Sequence, residues 1–359
     1  MDVDVISPAE LGETELAAWR AMQDADPAQA NPFLAPEFTL AVGRARPAAR
    51  VAVLSEGGRP VGFFPFERRA LGLGLPIGAG LCDCQGLIHV PGFVWDPVAL
   101  LRECGLHLWR YDHLSAGQSP FETRVVRHAA SPVIELADGY GAYEERLRRG
   151  SAGFLRVMRM KERRLERRAG ELRMVFEESD TEVLGTLMRW KSAQYRAKGR
   201  VDQFARPWIV ELLRDLVGIR SSTCSGTLSA LYAGGRPVAC HFGLRSRHVL
   251  SYWFPAYDPG VSRCSPGLLL LLKMAESAAA RGIDHIDLGK GEERYKDTMK
   301  TAELSVAEGW ADRRTTPAAL RRIQAESAGR LRGAVAANPL LRPVALRTFT
   351  LIRDLGGPR

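Results

Sequence analysis

The chain has 359 residues, 46% of them apolar, and a formal net charge of +9. That length is comfortable for two domains, and no apolar run approaches the roughly 18–20 residues of a membrane span: the longest candidate, Gly267–Met274, is short and carries Lys273. The charge favours anionic partners such as a CoA phosphate tail, nucleic acid, an acidic polysaccharide or an inner membrane leaflet, although an arginine-rich composition alone gives the same balance.

The acidic start, MDVDVISPAELGETE, lacks the basic and apolar regions of a signal peptide, which predicts a cytoplasmic protein. Helical spacing of Leu11, Leu16, Ala18 and Trp19 predicts a helix over Ala9–Met22. Asn31-Pro32 and Pro36 break it, and Glu37–Gly43 reads as a second helix. Two strands then meet at Glu56-Gly57-Gly58-Arg59, whose glycines supply the positive φ of a tight hairpin. Leu71–Gly80 reads as glycine-rich and irregular, and 87–94 as a further strand. Asp96 caps a helix to Cys104 with Pro97 in its first position, and Leu106–His113 reads as a strand. Cys82-Asp83-Cys84 has no second Cys/His pair nearby, so the six cysteines read as reduced thiols and no metal site is expected.

Ser131–Leu136 reads as a strand leading into a connecting segment. From Arg146 to Arg168 there are ten basic residues against two glutamates, with Phe154, Met158, Leu165, Ala169 and Leu172 at helical spacing. This predicts one basic amphipathic helix, docked on one face and either solvated on the other or walling an anionic ligand. Helices follow over Glu182–Lys198 and Pro207–Val217. Then come strands Thr227–Tyr232, Val238–Arg245 and His248–Ala256, a helix Ser265–Arg281 ending at Gly282, and a last clear strand, Ile283–Leu288. Residues 317–336 read as helical, and 338–359 as a basic tail. The order predicts an α/β fold of two tandem lobes, each a mixed, mostly antiparallel sheet flanked by helices. The expected domains are 1–140, 141–312 and a tail, 313–359.

A repeat supports the two lobes. VAVLSEGGRPVGFFPFER at 51–68 matches LSALYAGGRPVACHFGLR at 228–245 with an offset of 177 throughout, pairing Gly57-Gly58-Arg59-Pro60-Val61 with Gly234-Gly235-Arg236-Pro237-Val238.

Chemistry concentrates in the second copy. After Tyr252-Trp253-Phe254-Pro255-Ala256-Tyr257 a loop leads to Ser265-Pro266-Gly267-Leu268, where a long helix starts. A helix N-terminus with a glycine suits a pyrophosphate, although Pro-Gly is also simply a common helix start. The strand 283–288 runs straight into Gly289-Lys290-Gly291-Glu292-Glu293-Arg294-Tyr295-Lys296, a loop packed with ionisable groups at a strand end, where α/β sites gather. No P-loop, nucleophile-elbow or zinc-helix motif is present.

The run from Ser265-Pro266-Gly267 to Asp287-Leu288-Gly289-Lys290-Gly291-Glu292-Glu293-Arg294-Tyr295-Lys296 resembles the CelD-like acetyltransferases of cellulose biosynthesis. These are GNAT relatives akin to the FemAB aminoacyltransferases, with a Pro-Gly helix start and Asp-x-Gly-x-Gly-[Asp/Glu]-x-x-Tyr-Lys. The resemblance covers roughly 145–310 well and the first lobe more faintly. It departs at Leu81–Gly86, where relatives more often read Ser-Asp-Tyr and only Asp83 and Gly86 are kept. It implies an acyl-CoA donor, acetyl-CoA above all, an acceptor in the cleft and no metal. Direct attack on the thioester then needs a base, for which Asp287, His241 or water qualify. It also needs oxyanion donors, from N–H groups of the splayed strand around Phe254–Tyr257 or from Lys296, with Tyr295 in support, and Phe254, Pro255, Ala256 and Tyr257 would bind the cofactor. Ser265, Pro266, Gly267 and Leu268 would hold the CoA phosphates. Asp83, Glu292 and Trp253 would line the acceptor. The expected function is N- or O-acyl transfer to a small molecule, sugar or cell-envelope precursor. The alternatives are an aminoacyl-tRNA donor, motivated by the basic helix, or a non-catalytic scaffold for polysaccharide assembly. Peripheral membrane contact is also open.

Overall fold

The computed structural model describes residues 2–151 and 153–313, with position 319 besides, so the expected helix at 317–336 and the tail 338–359 lie outside the described residues. Met1–Ala311 form one compact unit. The first lobe starts with β1 (Asp2–Ile6), α1 (Glu13–Ala25) and α2 (Pro36–Ala45), followed by the hairpin β2 (Ala49–Glu56) and β3 (Arg59–Arg69). The stretch expected to be irregular contains a strand, β4 (Leu73–Pro76), while the strand expected at 87–94 is only β5 (Ile88–His89). Then come α3 (Pro97–Glu103), with the Asp96 carboxylate accepting from the N–H groups of Val98 and Ala99, β6 (Leu108–Ser115) and a long β7 (Arg124–Glu135).

The basic segment is two helices, α4 (Tyr140–Gly150) and α5 (Phe154–Ala169), not one. β8 (Leu172–Val175) follows α5, although Leu172 reads in sequence as part of the helical stripe. The second lobe continues with α6 (Thr181–Ala197), α7 (Pro207–Val217), β9 (Ser225–Ala233), β10 (Arg236–Arg245), β11 (Val249–Tyr257), α8 (Pro266–Ala279) and β12 (His285–Asp287). Two elements follow that the sequence pattern did not single out, α9 (Arg294–Met299) and β13 (Ala302–Asp312).

The strands form a single sheet in the order β1-β2-β3-β4-β6-β13-β7-β12-β11-β10-β9-β8, with β5 beside β3. The order is symmetrical about the β13–β7 pair. Each half has an antiparallel run, β1 to β4 and β8 to β11, followed by one parallel pair, β4 with β6 and β11 with β12. This is the expected mixed, mostly antiparallel tandem arrangement. It carries one feature beyond that expectation: β7 lies beside the second lobe's β12, and β13 lies between β7 and the first lobe's β6.

The duplication reaches fine detail. Gly57 and Gly58 have φ of 55° and 76°, and Gly234 and Gly235 have 55° and 78°. These are the two positive angles of the hairpin turn that matches strand twist. The register skips Val61 in one hairpin and Val238 in the other, so the same bulge recurs at the same offset.

One apolar core lies between α1, α2 and β2–β3 of the first lobe and α6, α7 and β9–β11 of the second. Separate cores lie under α4, α5, α8 and α9 and around α3, β3 and β6. The shared core makes the lobes one body. Arg44 on α2 pairs with Asp215 on α7 at 2.6 Å, and the Thr223 hydroxyl donates to buried Glu37 at 3.0 Å.

Candidate active site

β11 and β12 pair over only three residues, from Val249 with His285 to Ser251 with Asp287. β11 then runs on for six residues to Tyr257, while the other chain turns away at Gly289. The two strands therefore part, and among the described residues the last part of β11 has no strand partner on that side. A bulge marks the parting: Tyr252 and Trp253 together stand opposite Gly243. Only glycine fits there, because a Cβ on Gly243 would overlap the carbonyl oxygen of Ser251.

The expected donor residues gather at this opening. β11 carries Trp253, Phe254, Pro255, Ala256 and Tyr257, and α8 starts at Pro266 after a left-handed Ser265 with φ of 50°. Gly267 lies against the Tyr257 ring: a Cβ there would stand 3.5 Å from Tyr257 Cδ1. The Lys161 ammonium of α5 donates to Ser265 Oγ at 2.7 Å. Basic α5 thus flanks the helix start, and its outer face holds a groove of about 340 Å³ lined by Arg156, Arg159, Met160, Arg163 and Arg167.

The loop after β12 is tied to itself. Asp287 is buried, and its Oδ1 accepts from Ser131 Oγ at 2.6 Å and from the Gly289 N–H at 2.9 Å. The buried Lys296 ammonium donates to the carbonyls of Gly289 at 2.9 Å and Lys290 at 3.3 Å and pairs with Glu293 at 3.2 Å. Tyr295 packs on the core under α8, and burial raises its phenol. Glu292 is exposed.

His241 is fully buried and stacked on Tyr252 at 4.4 Å, and its Nε2 accepts the Trp253 N–H at 3.2 Å. Burial lowers its pKa to about 3, with Lys191 adding to the effect. The imidazole is therefore neutral and out of solvent reach, which leaves it no path to an acceptor in the cleft.

The first lobe supplies the opposite wall. The loop 77–86 reaches across to β11, where Trp253 Nε1 donates to the Leu81 carbonyl at 3.1 Å. Gln85 anchors this loop to β6: its Oε1 accepts the N–H groups of Asp112 and His113, and its Nε2 donates to Asp112 Oδ1 at 2.6 Å. Asp83 is thereby held over Gly289, where a glycine Cβ would lie 3.5 Å from its Oδ2. Its Oδ1 stands 3.6 Å from His113 Nε2. Both flanking thiols, Cys82 and Cys84, are buried and free, and burial raises them far above the usual thiol range.

Two residues at this site escaped the sequence reading. His113 ends a predicted strand and carried no motif. Lys191 on α6 donates to the Pro255 carbonyl at 2.9 Å, on the part of β11 that has left β12, and burial lowers its pKa to about 8. Its signal was present: Leu184, Leu187, Lys191 and Tyr195 share helical spacing, so a lysine sits on an apolar stripe. Among the described residues no group of three or more His, Cys, Asp and Glu is placed to hold a metal, and no helix is long and apolar enough to cross a membrane.

Residues 141–297 match the family described as Acetyltransferase (GNAT) domain. No curated protein matches the chain. Among solved structures, a C-terminal domain assigned to a lysylphosphatidylglycerol synthetase of Agrobacterium fabrum superposes with a TM-score of 0.54 at 14% identity, covering 89% of this chain and 97% of that one. FemX superposes with a TM-score of 0.53 at 12% identity, covering 87% and 97%. A conserved protein of unknown function from Bacteroides thetaiotaomicron gives 0.50 at 11%, covering 82% and 97%. At such identities the structures speak for the fold alone. The family match covers residues 141–297 of the second lobe and supports an acyltransferase.

Proposed function

We propose that the protein transfers an acyl group, acetyl in the simplest case, from a CoA thioester directly to an amine or hydroxyl of a small molecule, a sugar or a cell-envelope precursor. The observation that carries this reading is the parting of β11 and β12 beside the start of α8. The open edge at Phe254–Tyr257 offers backbone groups to a pantetheine chain. At the first turn, Ser265–Leu268, Pro266 has no N–H and those of Ser265 and Leu268 donate to the carbonyls of Ser262 and Ser265, so the Gly267 N–H and the positive end of the helix are what would meet the pyrophosphate. Residues 141–312 are then the donor lobe, and 1–140 the acceptor platform, with Asp83 and Trp253 at the junction. Lys191, bound to the Pro255 carbonyl, and Lys296, under the 289–293 loop, are the cations on either side of the opening that could serve the thioester oxygen. Lys296 acts by holding the 289–293 loop, and Glu292 and Tyr295 border it. A CelD-like acceptor from polysaccharide synthesis fits this reading. Isothermal titration with acetyl-CoA and longer acyl-CoAs tests it; no heat from any of them would end it.

The arginine groove of α5 favours one second reading, an aminoacyl-tRNA donor. Binding of tRNA that weakens steeply with salt is its signature. No binding at low salt removes it.

A further inference from the structure

On the acyl-CoA reading the acceptor must lose a proton, and among the described residues the junction of the lobes holds one partly buried carboxylate that no close protein donor satisfies, Glu292 being exposed to solvent. Asp287 is occupied by Ser131 and Gly289, Asp112 by Gln85 and His113, and Glu293 by Lys296. Asp83 has only His113, at 3.6 Å, and about a third of its side chain is open, with a relative exposure of 32%. It stands on a loop fixed at both ends, by the Trp253 contact to Leu81 and by Gln85 on β6. Its Oδ2 lies over Gly289, where the chain after β12 turns away from β11.

We infer that Asp83 is the general base of the reaction and that His113, oriented by Asp112, is the residue that positions and tunes it. The acceptor's N–H or O–H proton passes to the Asp83 carboxylate as the nucleophile's lone pair bonds to the thioester carbon. The C–S bond then breaks with its electron pair on sulfur, and the thiolate takes the proton back from Asp83, giving acylated acceptor and free CoA. The chain behind His113 is complete: its Nδ1 lies 3.1 Å from Asp112 Oδ1, and the Lys290 ammonium binds the Asp112 carbonyl at 2.9 Å and pairs with Glu308.

The electrostatics agree with the geometry. Desolvation raises the Asp83 pKa to about 6, against the pull of His113 and with help from Asp287 and Asp112. Such a group is ionised near neutrality yet basic enough to take a proton. Burial opposes the charge on His113, but the hydrogen bond to Asp112 and the charges of Asp83 and Asp112 raise its pKa overall. Burial also opposes the charge on Asp112, but His113, Gln85 and Lys290 lower its pKa to about 2. The groups facing Asp83 are His113 and Asp112 from β6, Asp287 from β12, Lys296 from α9, Tyr195 from α6, and the thiols of its own loop.

The test measures thiol release from acetyl-CoA with water, ethanolamine or glucosamine as acceptor, from pH 5 to 9, beside titration of acetyl-CoA binding. Asp83→Asn should bind acetyl-CoA like the wild type and lose about 100-fold or more in kcat. Wild-type kcat/KM should rise with pH through an enzyme-borne step near 6. In His113→Gln that step should move up by about one pH unit, because the cation that favours the carboxylate is gone. A purely structural His113 would lower the rate without moving the step. Asp83→Glu should restore part of the rate, which covers the case in which Asp83→Asn does not fold. Full activity in a folded Asp83→Asn, or an unmoved step in His113→Gln, overturns the inference and leaves the donor reading standing. Absence of acetyl-CoA binding by the wild type overturns the donor reading itself. If no acceptor turns over, a carbon-13 carboxyl titration decides: an Asp83 that titrates below about 4, the ordinary range, overturns the inference.

Discussion

The two lobes share a turn, a bulge and a parallel strand pair, and differ in what fills the opening beyond that pair. In the first lobe β4 pairs with β6 at Leu73–Leu108 and Gly74–Trp109. The chain then returns to the same strand: Gln85 bridges to Leu114 in parallel register, its N–H donating to His113 at 2.9 Å and its carbonyl accepting from Ser115 at 3.0 Å. What remains is a cavity of about 10 Å³ among Pro76, Gln85 and Trp109, room for one water. In the second lobe nothing among the described residues returns to β11 in this way. The offset of 177 carries Leu108 onto His285 and Phe66 onto Gly243. A phenylalanine packed in the core thus stands where the other copy needs a glycine for its bulge. One copy closed its opening and used the closing loop to present Asp83 to the other.

The sharpest way to break this contrast is Gly243→Ala. The new methyl would overlap the Ser251 carbonyl and press on His241. With backbone on one side and a buried ring on the other, relief requires undoing the bulge. The expected loss is about 3 kcal/mol or more, read as a fall in urea midpoint together with loss of acetyl-CoA binding. A variant that melts and binds like the wild type would show that the bulge does not shape the opening.

The turns allow a matched pair. Gly57 and Gly234 have the same φ of 55°, but a Cβ on Gly57 meets nothing within 4 Å, whereas on Gly234 it would overlap the carbonyl of Ala169 at the end of α5. Gly57→Ala should cost about 1 kcal/mol for the left-handed backbone. Gly234→Ala should cost about 2–3 kcal/mol, the extra measuring how firmly α5 is docked on the second hairpin. Equal melting shifts would mean that α5 yields, and that the arginine groove is not held beside the helix start.

Lys191 separates function from stability. Its folded pKa, about 8, is below the free value, so the folded state disfavours the charge. The cost is full below pH 8 and is relieved as pH rises from 8 towards 10.5, the ordinary lysine value. Lys191→Met should therefore raise stability by about 1 kcal/mol at pH 7, with the gap to wild type narrowing at pH 9–10, while catalysis falls. Lower stability in the methionine variant would make Lys191 a structural tie to Pro255.

Much of this was written locally in the sequence, because its signals are short-range. Pro207–Val217 is helical over the expected span, and Gly-Gly pairs set both hairpins. What was hidden depends on partners far along the chain. β13 has six exposed or half-exposed residues, in its first four, seventh and ninth positions, and reads as polar, yet it pairs with β7 from Ala302–Val133 to Trp310–Arg124. Only such distant partners, β7 and β6, make it a strand. β8 merges with the helical stripe of α5 because Leu172 fits both periods. The proton-handling group was half visible: Asp83 stood out in a motif, but His113 acquires meaning only when Gln85 lays one loop along β6.

The smallest effect is the most demanding of the duplication itself. Gly58 and Gly235 occupy the second turn position at φ of 76° and 78°, and a Cβ on either meets nothing within 4 Å. Alanine at each should cost only the backbone penalty, about 1 kcal/mol, and the two costs should agree to within roughly 0.5 kcal/mol. Each turn joins strands with the same bulge three residues later, at Val61 and Val238, so neither hairpin has a slack that the other lacks. The comparison therefore calibrates the Gly57 and Gly234 pair. If the Gly58 and Gly235 variants differ by as much as that pair, the difference belongs to the lobes as wholes; if they agree, it belongs to the contact between Gly234 and the end of α5.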